Sequence, residues 1–263
     1  MTLPAHRIAL SVAAPAYNEI DNIAAAVGEW RDHLQGHDGL ARWEIVVCND
    51  GSDDGTGEVL ARMAAQLPEL VVVDLSVNQG AGVAIAQAIR HTRLDWVLLT
   101  DSDGQFPIAN LDRMLEALRS RGGLAFSGAR TRKADGLAHR AGSWASGALS
   151  NVLHGSRYDD FNSIFKLVHG PLLRSLHLEA TGMNCSTEIT ARLIEMGVGW
   201  VEVPIEHRAR GGGTRSWRFV RGAVARLAFV LYLGVRQALL RNGVLRRPQR
   251  PLACDEPLRT VQR

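Results

Sequence analysis

Continuous apolar runs alternate with amphipathic segments over the first 120 residues of the chain. Four runs are predicted to be buried strands, at residues 7–17, 43–50, 70–77 and 95–103. Three segments with apolar residues at helical spacing lie between them, at residues 18–34, 58–67 and 83–92. Helices that alternate with continuously apolar strands are typical of a parallel sheet covered on both faces. The pattern therefore predicts an α/β fold.

The pattern is less regular after residue 120. Three more strands are predicted, at residues 124–130, 161–170 and 199–208. Two more helices are predicted, at residues 141–155 and 185–197. Two polar segments are predicted to be mobile loops, at residues 131–140 and 209–216. We expect one α/β domain over residues 1–216 and a separate helical segment with a tail over residues 217–263.

The helical segment combines arginines with apolar residues at helical spacing. Four arginines fall within about 140° of arc at 100° per residue: Arg218, Arg221, Arg226 and Arg236. This predicts a basic amphipathic helix, or two helices with a break at Gly234, of the kind that lies in the headgroup plane of a membrane. The alternative is that its apolar face packs on the α/β domain or on a second subunit, which would make the protein a homodimer.

Composition narrows the class of protein. The 263 residues are 46% hydrophobic, which is enough for a substantial core. The net charge is only +3, so the chain is not a polycation built for nucleic acid. Thirteen arginines lie from residue 208 onward against two acids, which suggests an anionic partner such as a membrane surface. A solvated basic tail is the alternative.

Compartment and membrane topology are also constrained. Three separated cysteines, Cys48, Cys185 and Cys254, argue against a disulfide scaffold or a zinc knuckle and fit a reducing compartment. The apolar N-terminus is predicted to be a first strand rather than a signal peptide. No run of 18 apolar residues predicts a membrane span. We expect a cytoplasmic protein that is peripheral on the inner face of the cell membrane.

Two aspartates, Asp101 and Asp103, stand at the end of the fourth strand. Carboxylates this close repel each other unless a cation or a proton lies between them. Gln105 adds an amide oxygen, and such a set suits Mg²⁺ or Mn²⁺. A nucleotide diphosphate would complete the shell of the metal, which would neutralise charge on the departing diphosphate. The alternative is that the pair only caps a following helix.

Polar stretches at three strand ends are predicted to converge, because ligands of parallel α/β sheets bind at the carboxyl ends of the strands. In chain order, VAAPAYNE, VVCNDGSDDGT, VNQGAG and LLTDSDGQFP resemble the motifs of the family 2 glycosyltransferases. The closest similarity is to the dolichyl-phosphate (polyprenyl-phosphate) mannosyl- and glucosyltransferase branch, over about residues 8–216. The resemblance implies the GT-A fold, a Rossmann-like and mostly parallel sheet with helices on both faces. It also implies inverting transfer from a nucleotide-diphosphate sugar, here a GDP- or UDP-hexose.

The resemblance implies a role for each matching residue of the first half. It places the nucleotide sugar against Pro15, Ala16, Tyr17, Glu19, Asp50, Gly51, Ser52, Asp101, Arg210 and Arg215. Asp50 would accept a hydrogen bond from the base. Asn49 stands where the family usually has aspartate, which loses one negative charge but keeps an acceptor. The metal would be bound by Asp101, Asp103 and Gln105, with Asp103 as the principal ligand.

The segment SGARTRKADGLAHRAGS resembles the part of the family that binds an acceptor phosphate. Arg130, Arg140 and Ser143 would hold that phosphate, and the guanidinium fork suits it because it binds phosphate bidentately. The groups implied to take part directly in catalysis are Asp101, Asp103, Arg130, Arg140 and Glu188.

Three further segments of the second half also match the branch. Asp160 and Lys166 would lie near the active site, with Ser163 replacing the usual cysteine. Glu188 would face the cleft. A mobile basic loop would close over the donor diphosphate, with Thr214 and Arg215 in place of the usual serine and lysine: His207, Arg210, Thr214 and Arg215.

The acceptor decides the mechanism. A phosphate monoester is largely ionised at pH 7, since its second pKa is about 6, and it needs no general base. A hydroxyl of a sugar or natural product would need one, and Glu188 or Asp160 would be the candidates. We expect a polyprenyl phosphate acceptor, and the hydroxyl acceptor is the alternative.

Other classes of protein are less consistent with the motifs. A dinucleotide oxidoreductase would carry GxGxxG after the first strand, and none follows it here. A nucleotidyltransferase would have a Gly-rich basic loop at that point, whereas this chain has the acidic PAYNEIDN. A catalytically silent binding module would explain Asn49 but not the intact set of Asp101, Asp103 and Gln105.

Overall fold

A computed structural model describes residues 7–131, 137–182, 184–209, 219–249 and 251. Within two helices the side chains are described only from residues 144 and 226 onward. No helix in the described part of the chain is both long and apolar enough to cross a bilayer.

Seven strands form one mixed sheet with the order β3-β2-β1-β4-β6-β5-β7. The strands are β1 (Ile8–Ala16), β2 (Leu40–Asn49), β3 (Leu70–Asp74), β4 (Trp96–Leu99), β5 (Ala125–Arg130), β6 (Lys166–His169) and β7 (Val201–Ile205). Only β6 runs against its neighbours β4 and β5, and all the other pairs are parallel. The predicted α/β class with a mostly parallel sheet is confirmed.

Eight helices connect the strands within the described residues. They are α1 (Ile23–Leu34), α2 (Thr56–Ala64), α3 (Ala81–His91), α4 (Asn110–Arg121), α5 (Leu137–His154), α6 (Gly170–Arg174), α7 (Cys185–Glu195) and α8 (Phe219–Arg241). The core forms where the buried, apolar parts of β1, β2 and β4 meet the apolar faces of α1, α3 and α4. Burial on both faces explains why these strands lack alternating polar positions.

The structure corrects two boundaries in the second half and decides between the one-helix and two-helix alternatives for the last segment. The predicted strand at 161–170 is only Lys166–His169, because residues 161–162 lie in a turn. Residues 137–140, expected in a mobile loop, belong to α5, and residues 132–136 lie outside the described part. Helix α8 is continuous through Gly234. A Cβ at Gly234 would lie 2.7 Å from Leu153 Cδ1, so this glycine lets α5 and α8 approach closely rather than breaking the helix.

The sheet brings the predicted site residues to one edge. The parallel register pairs Ala16 with Asn49, and Arg130 with Ile205. Antiparallel pairing of Leu99 with Lys166 places the start of β6 at this same edge. The helices α5 and α7, which both pack against α8, lie in the connections that follow β5 and β6.

Candidate active site at the carboxyl ends of the strands

Three loops from the first half of the chain are tied together by hydrogen bonds. The Asp50 N–H donates to Ala16 O at 2.8 Å, and the Thr100 N–H donates to Ala13 O at 3.1 Å. The Ser102 hydroxyl donates to Pro15 O at 2.7 Å. The structure therefore brings together the PAYNE, NDGSDDGT and DSDGQ stretches, which the sequence separates by tens of residues.

Asp50 is buried and its carboxylate organises a neighbouring turn. It accepts hydrogen bonds from Gln79 N at 2.8 Å, Gly80 N at 2.9 Å and Asn78 Nδ2 at 3.0 Å. Gly51, with φ of +64°, follows where any Cβ would collide with the backbone of Val77. The described contacts of Asp50 thus hold the turn before α3, and its proposed bond to a base stays a prediction.

The contacts of Asn49 explain why asparagine stands here in place of the family's usual aspartate. Its Oδ1 accepts from the Ser52 hydroxyl at 2.6 Å, and its Nδ2 donates to Asp74 Oδ1 at 2.9 Å. An aspartate here would be an acceptor facing Asp74, so the two carboxylates would repel each other. The amide keeps the expected acceptor and adds a donor that the neighbouring strand requires.

The rest of the PAYNE stretch is positioned from α2 and its preceding turn. The Glu19 N–H donates to Thr56 Oγ1 at 2.9 Å, and Glu19 Oε2 accepts from Asn22 Nδ2 at 2.7 Å. The Asn18 N–H donates to Ser52 Oγ at 3.0 Å. Tyr17 is left exposed at the rim of the site, with 45% of its surface accessible. An exposed ring at this point suits stacking against a planar base.

Asp101, Asp103 and Gln105 form a tight loop after β4. The Gln105 N–H donates to Asp103 Oδ1 at 3.0 Å, and Gly104 makes the turn with φ of +74°. Gln105 also contacts the segment after β7: Arg208 N donates to Gln105 O at 2.8 Å, and Gln105 Nε2 donates to Arg208 O at 3.3 Å. His207 packs edge-on against Phe106, with ring centroids 4.9 Å apart.

The donor set of this loop fits a hard divalent cation. Asp103 is 9% exposed and Asp101 is half-buried, so the oxygens are shielded but reachable. The charge of Asp101 also contributes to raising the pKa of the Cys185 thiol to about 12, mainly through burial of the thiol. Burial therefore favours the neutral thiol form of Cys185. Two carboxylates beside an amide match the oxygen preference of Mg²⁺ or Mn²⁺.

A second group of residues with metal-ligand spacing fits a metal ion less well than the loop after β4. Among the described residues, His33, His37 and Asp112 place ligand atoms within 4.8 Å of one another. The Gly39 N–H donates to His37 Nδ1 at 3.0 Å, which puts the ring proton on Nε2, where His37 faces Asp112. A metal-bound histidine needs the opposite tautomer, with its second nitrogen donating to an acceptor.

Arg130 and Asp160 form a bidentate ion pair. Arg130 Nε lies 2.6 Å from Asp160 Oδ2, and Arg130 Nη2 lies 3.0 Å from Asp160 Oδ1. Glu202 supports Asp160 from β7 by accepting the N–H groups of Asp159 and Asp160 at 2.9 and 3.0 Å. Asp160 therefore orients Arg130, and nothing in the sequence motifs pointed to Glu202.

A cleft of about 190 Å³ opens beside this ion pair, between α5 and the turn before β6. Its lining residues are Trp144, Gly147, Ala148, Asn151, Tyr158, Asp159, Asp160, Phe161 and Asn162. Trp144 is 73% exposed at the mouth of the cleft. Arg140 and Ser143 belong to the first part of α5, where side chains are not described, and Arg210, Thr214 and Arg215 lie outside the described residues.

Lys166 is completely buried, and so is Ser163. Its Nζ donates to Ser127 Oγ at 3.1 Å and lies 5.0 Å from the centre of the Trp200 ring. Burial lowers the pKa of Lys166 to about 7, against the opposing effect of Asp160, while Arg130 lowers it further. The described structure thus places this lysine near the predicted site but without exposed surface.

Replacing Lys166 with methionine is expected to stabilise the protein at pH 6 by about 1–4 kcal/mol, because a buried charge is exchanged for an apolar chain of similar volume. Lysine is charged in both folded and unfolded states below pH 7, so its penalty is complete there. The penalty fades as pH rises from about 7 towards 10.5, where the unfolded chain also loses its proton. Urea unfolding at pH 6, 7.5 and 9 measures this. A Lys166→Met variant that is less stable at pH 6 than the wild type contradicts the expectation.

Glu188 does not face the cleft, and that expectation is wrong. The side chain has 0% exposure in the first turn of α7. Its carboxylate accepts from Glu179 N at 3.0 Å, Ala180 N at 2.8 Å and Arg192 Nη2 at 3.0 Å. A signal was present in the sequence, since Glu188 and Arg192 have the i, i+4 spacing of a helical ion pair.

Glu188 supports the site through the segment of residues 179–180, whose N–H groups donate to its carboxylate. Thr181, directly after that segment, accepts the Gly82 N–H at 2.9 Å. Gly80 and Gly82 pass so close to this backbone that a Cβ at either would collide with Thr181 or Ala180. Glu188 therefore supports the same turn that Asp50 holds from the other side, which is a positioning contact.

These motifs on this sheet define a glycosyltransferase. The family model "Glycosyl transferase family 2" matches residues 11–173, and the chain belongs to that family. The predicted family and the predicted enzyme class are confirmed.

Relatives and solved structures agree with this assignment. A dolichyl-phosphate hexose transferase of Haloferax volcanii is 30% identical over 81% of this chain and 89% of its own length. A dolichyl-phosphate beta-glucosyltransferase of Trichomonas vaginalis is 34% identical over 42% of this chain, and the match spans only 35% of that longer protein.

The fold is shared with a glucosyl-3-phosphoglycerate synthase of Mycobacterium tuberculosis. That enzyme was solved with Mn²⁺, UDP-glucose and phosphoglyceric acid, and it superposes with a TM-score of 0.67 at 19% identity, over 86% of this chain and 80% of the other. At this identity the likeness concerns the fold, and it confirms the predicted GT-A architecture.

Proposed function

We propose that the protein transfers a hexose from a nucleotide-diphosphate sugar to a polyprenyl phosphate, with inversion at the anomeric carbon and with a divalent metal. The observation that carries the choice of acceptor is the state of the two carboxylates that a hydroxyl acceptor would need. Glu188 is buried against backbone amides and Arg192, and Asp160 is buried against Arg130. Glu188 is therefore not placed to take a proton from a substrate, and Asp160, although it lines the cleft, has both carboxylate oxygens engaged by Arg130.

A phosphate acceptor removes the need for a base. Its oxygen is already anionic at pH 7 and attacks the anomeric carbon directly. The bond from that carbon to the diphosphate oxygen breaks, and its electron pair leaves with the nucleoside diphosphate. A single displacement of this kind inverts the configuration. Arg130, oriented by Asp160, would hold the acceptor phosphate beside the cleft, together with Arg140 and Ser143.

The residues of the first half would bind and orient the donor. Tyr17 would cover the base, and the turn held by Asp50 would shape the wall of the pocket. Asp101 and Asp103 would bind a divalent metal, with Gln105 fixing their loop. That metal supplies charge neutralisation for the departing diphosphate when bound. Haloferax and Trichomonas relatives named for dolichyl phosphate support the acceptor, and the Mn²⁺ and UDP-glucose of the mycobacterial structure support the donor and the metal.

The outer face of α8 supports docking at a membrane, in a way that differs from the expected basic face. Four apolar residues at i, i+4 spacing are 37–60% exposed: Leu227, Leu231, Val235 and Leu239. Arg236 and Arg241 instead turn towards the protein, where they bind Glu195 at 3.0 Å and His154 O at 2.6 Å. An apolar stripe of this length inserts between lipid headgroups, where a polyprenyl phosphate resides.

Charging this stripe is expected to weaken membrane binding. A Leu231→Glu, Val235→Glu double variant should bind vesicles of phosphatidylglycerol and phosphatidylethanolamine roughly 10–100-fold less tightly, since two apolar side chains lose their burial. The control is Ala61→Glu, Ala65→Glu, which adds the same charge at exposed positions on α2 and directly after it. Unchanged vesicle binding together with conversion of a dimer to a monomer would show instead that the stripe is a subunit interface.

The transfer reaction itself tests the proposal. Purified protein with Mg²⁺ or Mn²⁺ is incubated with a panel of UDP- and GDP-sugars, each with a short-chain polyprenyl phosphate or with the corresponding prenol. Sugar transfer to the phosphate and not to the prenol is the expected result. Transfer to the prenol, or turnover of donor without a lipid product, would replace the phosphate acceptor by a hydroxyl compound.

A further inference from the structure

One arginine of α8 differs from the others in its surroundings. Arg236 and Arg241 are both paired with acceptors of the protein. Arg226 lies nearer the N-terminus of the same helix. Its Nε is buried and has no hydrogen-bond partner among the described residues. A buried polar N–H without a partner destabilises the folded protein, so its presence needs an explanation.

The neighbours of Arg226 belong to the proposed acceptor site. Burial lowers the pKa of Arg226, Arg130 lowers it further, and Cys185 and Asp160 act in the opposite direction. Cys185 in turn lies within electrostatic reach of Asp101. Arg226 is therefore within electrostatic range of the Arg130–Asp160 pair and of Cys185.

The carboxylate of Asp160 is already engaged by another arginine. Asp160 directs one carboxylate oxygen to Arg130 Nε and the other to Arg130 Nη2. Arg226 consequently shares the field of a carboxylate that already has a bidentate partner. A buried guanidinium with an unpaired Nε, within electrostatic range of a second arginine, suits an anion, and a guanidinium fork suits a phosphate.

We propose that Arg226 binds the phosphate group of the acceptor, so that α8 supplies a ligand to the reaction site as well as an apolar face to the membrane. The inference rests on the proposed function. It places two arginines from distant parts of the chain, on β5 and on α8, around one phosphate. It also couples membrane binding to acceptor binding, because the helix proposed to contact lipid would carry the residue that holds the lipid phosphate.

The test is an Arg226→Met variant measured with the full chain. The KM for a short-chain polyprenyl phosphate should rise at least tenfold, since a charge-assisted hydrogen bond contributes about 1.5–3 kcal/mol. The Kd for the nucleotide sugar should stay within about twofold of the wild-type value, a tolerance equivalent to roughly 0.4 kcal/mol. The Tm without ligand should be unchanged or higher, because an unpaired buried N–H is removed. A structural arginine would show the opposite sign in Tm.

Two further variants make the result specific. Arg246→Met removes an equal charge from an exposed position beyond α8 and should change neither constant. Arg226→Lys keeps the charge but loses the fork, and it should recover only part of the acceptor affinity. An unchanged acceptor KM in Arg226→Met, or a weaker nucleotide-sugar Kd in its place, overturns the assignment.

The failure of this inference can be told apart from failure of the proposed function. Binding of the polyprenyl phosphate is measured separately, as the rise in Tm that it causes in the wild type. A wild type that gains no Tm and transfers no sugar to this lipid overturns the proposed function. A wild type that gains Tm, with an Arg226→Met variant that gains the same, overturns only the role of Arg226.

Discussion

Replacing Asp103 with asparagine is expected to lower the rate of sugar transfer by roughly 10²–10⁴-fold, with the fold intact. Asparagine has the same shape and can still accept the Gln105 N–H that Asp103 Oδ1 accepts at 3.0 Å. It lacks the charge that would bind a divalent cation. Metal neutralisation of a leaving group contributes several kcal/mol, and each 1.36 kcal/mol changes the rate tenfold.

The measurement is kcat with saturating donor, together with Mn²⁺ affinity from calorimetry. Asp32→Asn is the matched control, because Asp32 is an exposed carboxylate on α1 whose loss should leave both values unchanged. Asp103→Asn with a normal kcat, or with Mn²⁺ affinity equal to that of the wild type, would show that the loop after β4 does not bind the metal.

Replacing Arg130 with methionine is expected to lower the free energy of unfolding by about 3–5 kcal/mol, because Asp160 is then left buried without its bidentate partner. The side chains of Arg130 and Asp160 are only 13% and 3% exposed, so solvent offers little compensation. Adding Asp160→Asn in the same chain removes the stranded charge and should restore most of that loss. Urea unfolding of the two single variants and the double variant measures the coupling directly.

Transfer by these variants separates structure from binding. The second substitution should restore the stability of the double variant to near the wild-type value. Its acceptor KM should nevertheless stay at least tenfold above that of the wild type, because the guanidinium that would hold the phosphate is missing. A double variant with both normal stability and a normal acceptor KM would mean that Arg130 serves only the fold. A loss of activity in Arg130→Met alone would not distinguish the two roles, because that variant is also unstable.

Much of the fold follows from local sequence, and the reason is visible in β1, β2 and β4. These strands are buried on both faces, so continuous apolar runs mark them, and the polar loops after them meet because parallel strands share an edge. The convergence of Pro15, Asp50 and Asp101 was therefore predictable. So was the acceptor kept by Asn49, though not the donor that it offers to Asp74.

The burial and the hydrogen-bond partners of individual polar side chains were harder to predict. Glu188 was expected in the cleft, yet its carboxylate accepts hydrogen bonds from backbone amides and from Arg192. Only the i, i+4 spacing of Glu188 and Arg192 indicated this ion pair in the sequence. For α8, helical periodicity predicted a separate basic face, yet Arg236 turns to the protein on the same side as the buried Val230, Leu233 and Leu240. The periodicity did not say which face meets the protein, because Arg236 and Arg241 find partners in α7 and α5 that no local pattern contains.

The most direct test of the account is the ³¹P NMR spectrum of the lipid product formed from a nucleotide sugar and a short-chain polyprenyl phosphate. We expect the monoester signal of the acceptor to be replaced by a phosphodiester signal, coupled to an anomeric proton of configuration opposite to that in the donor. A product with the monoester signal unchanged and the sugar on a hydroxyl, or with retained configuration, would contradict it.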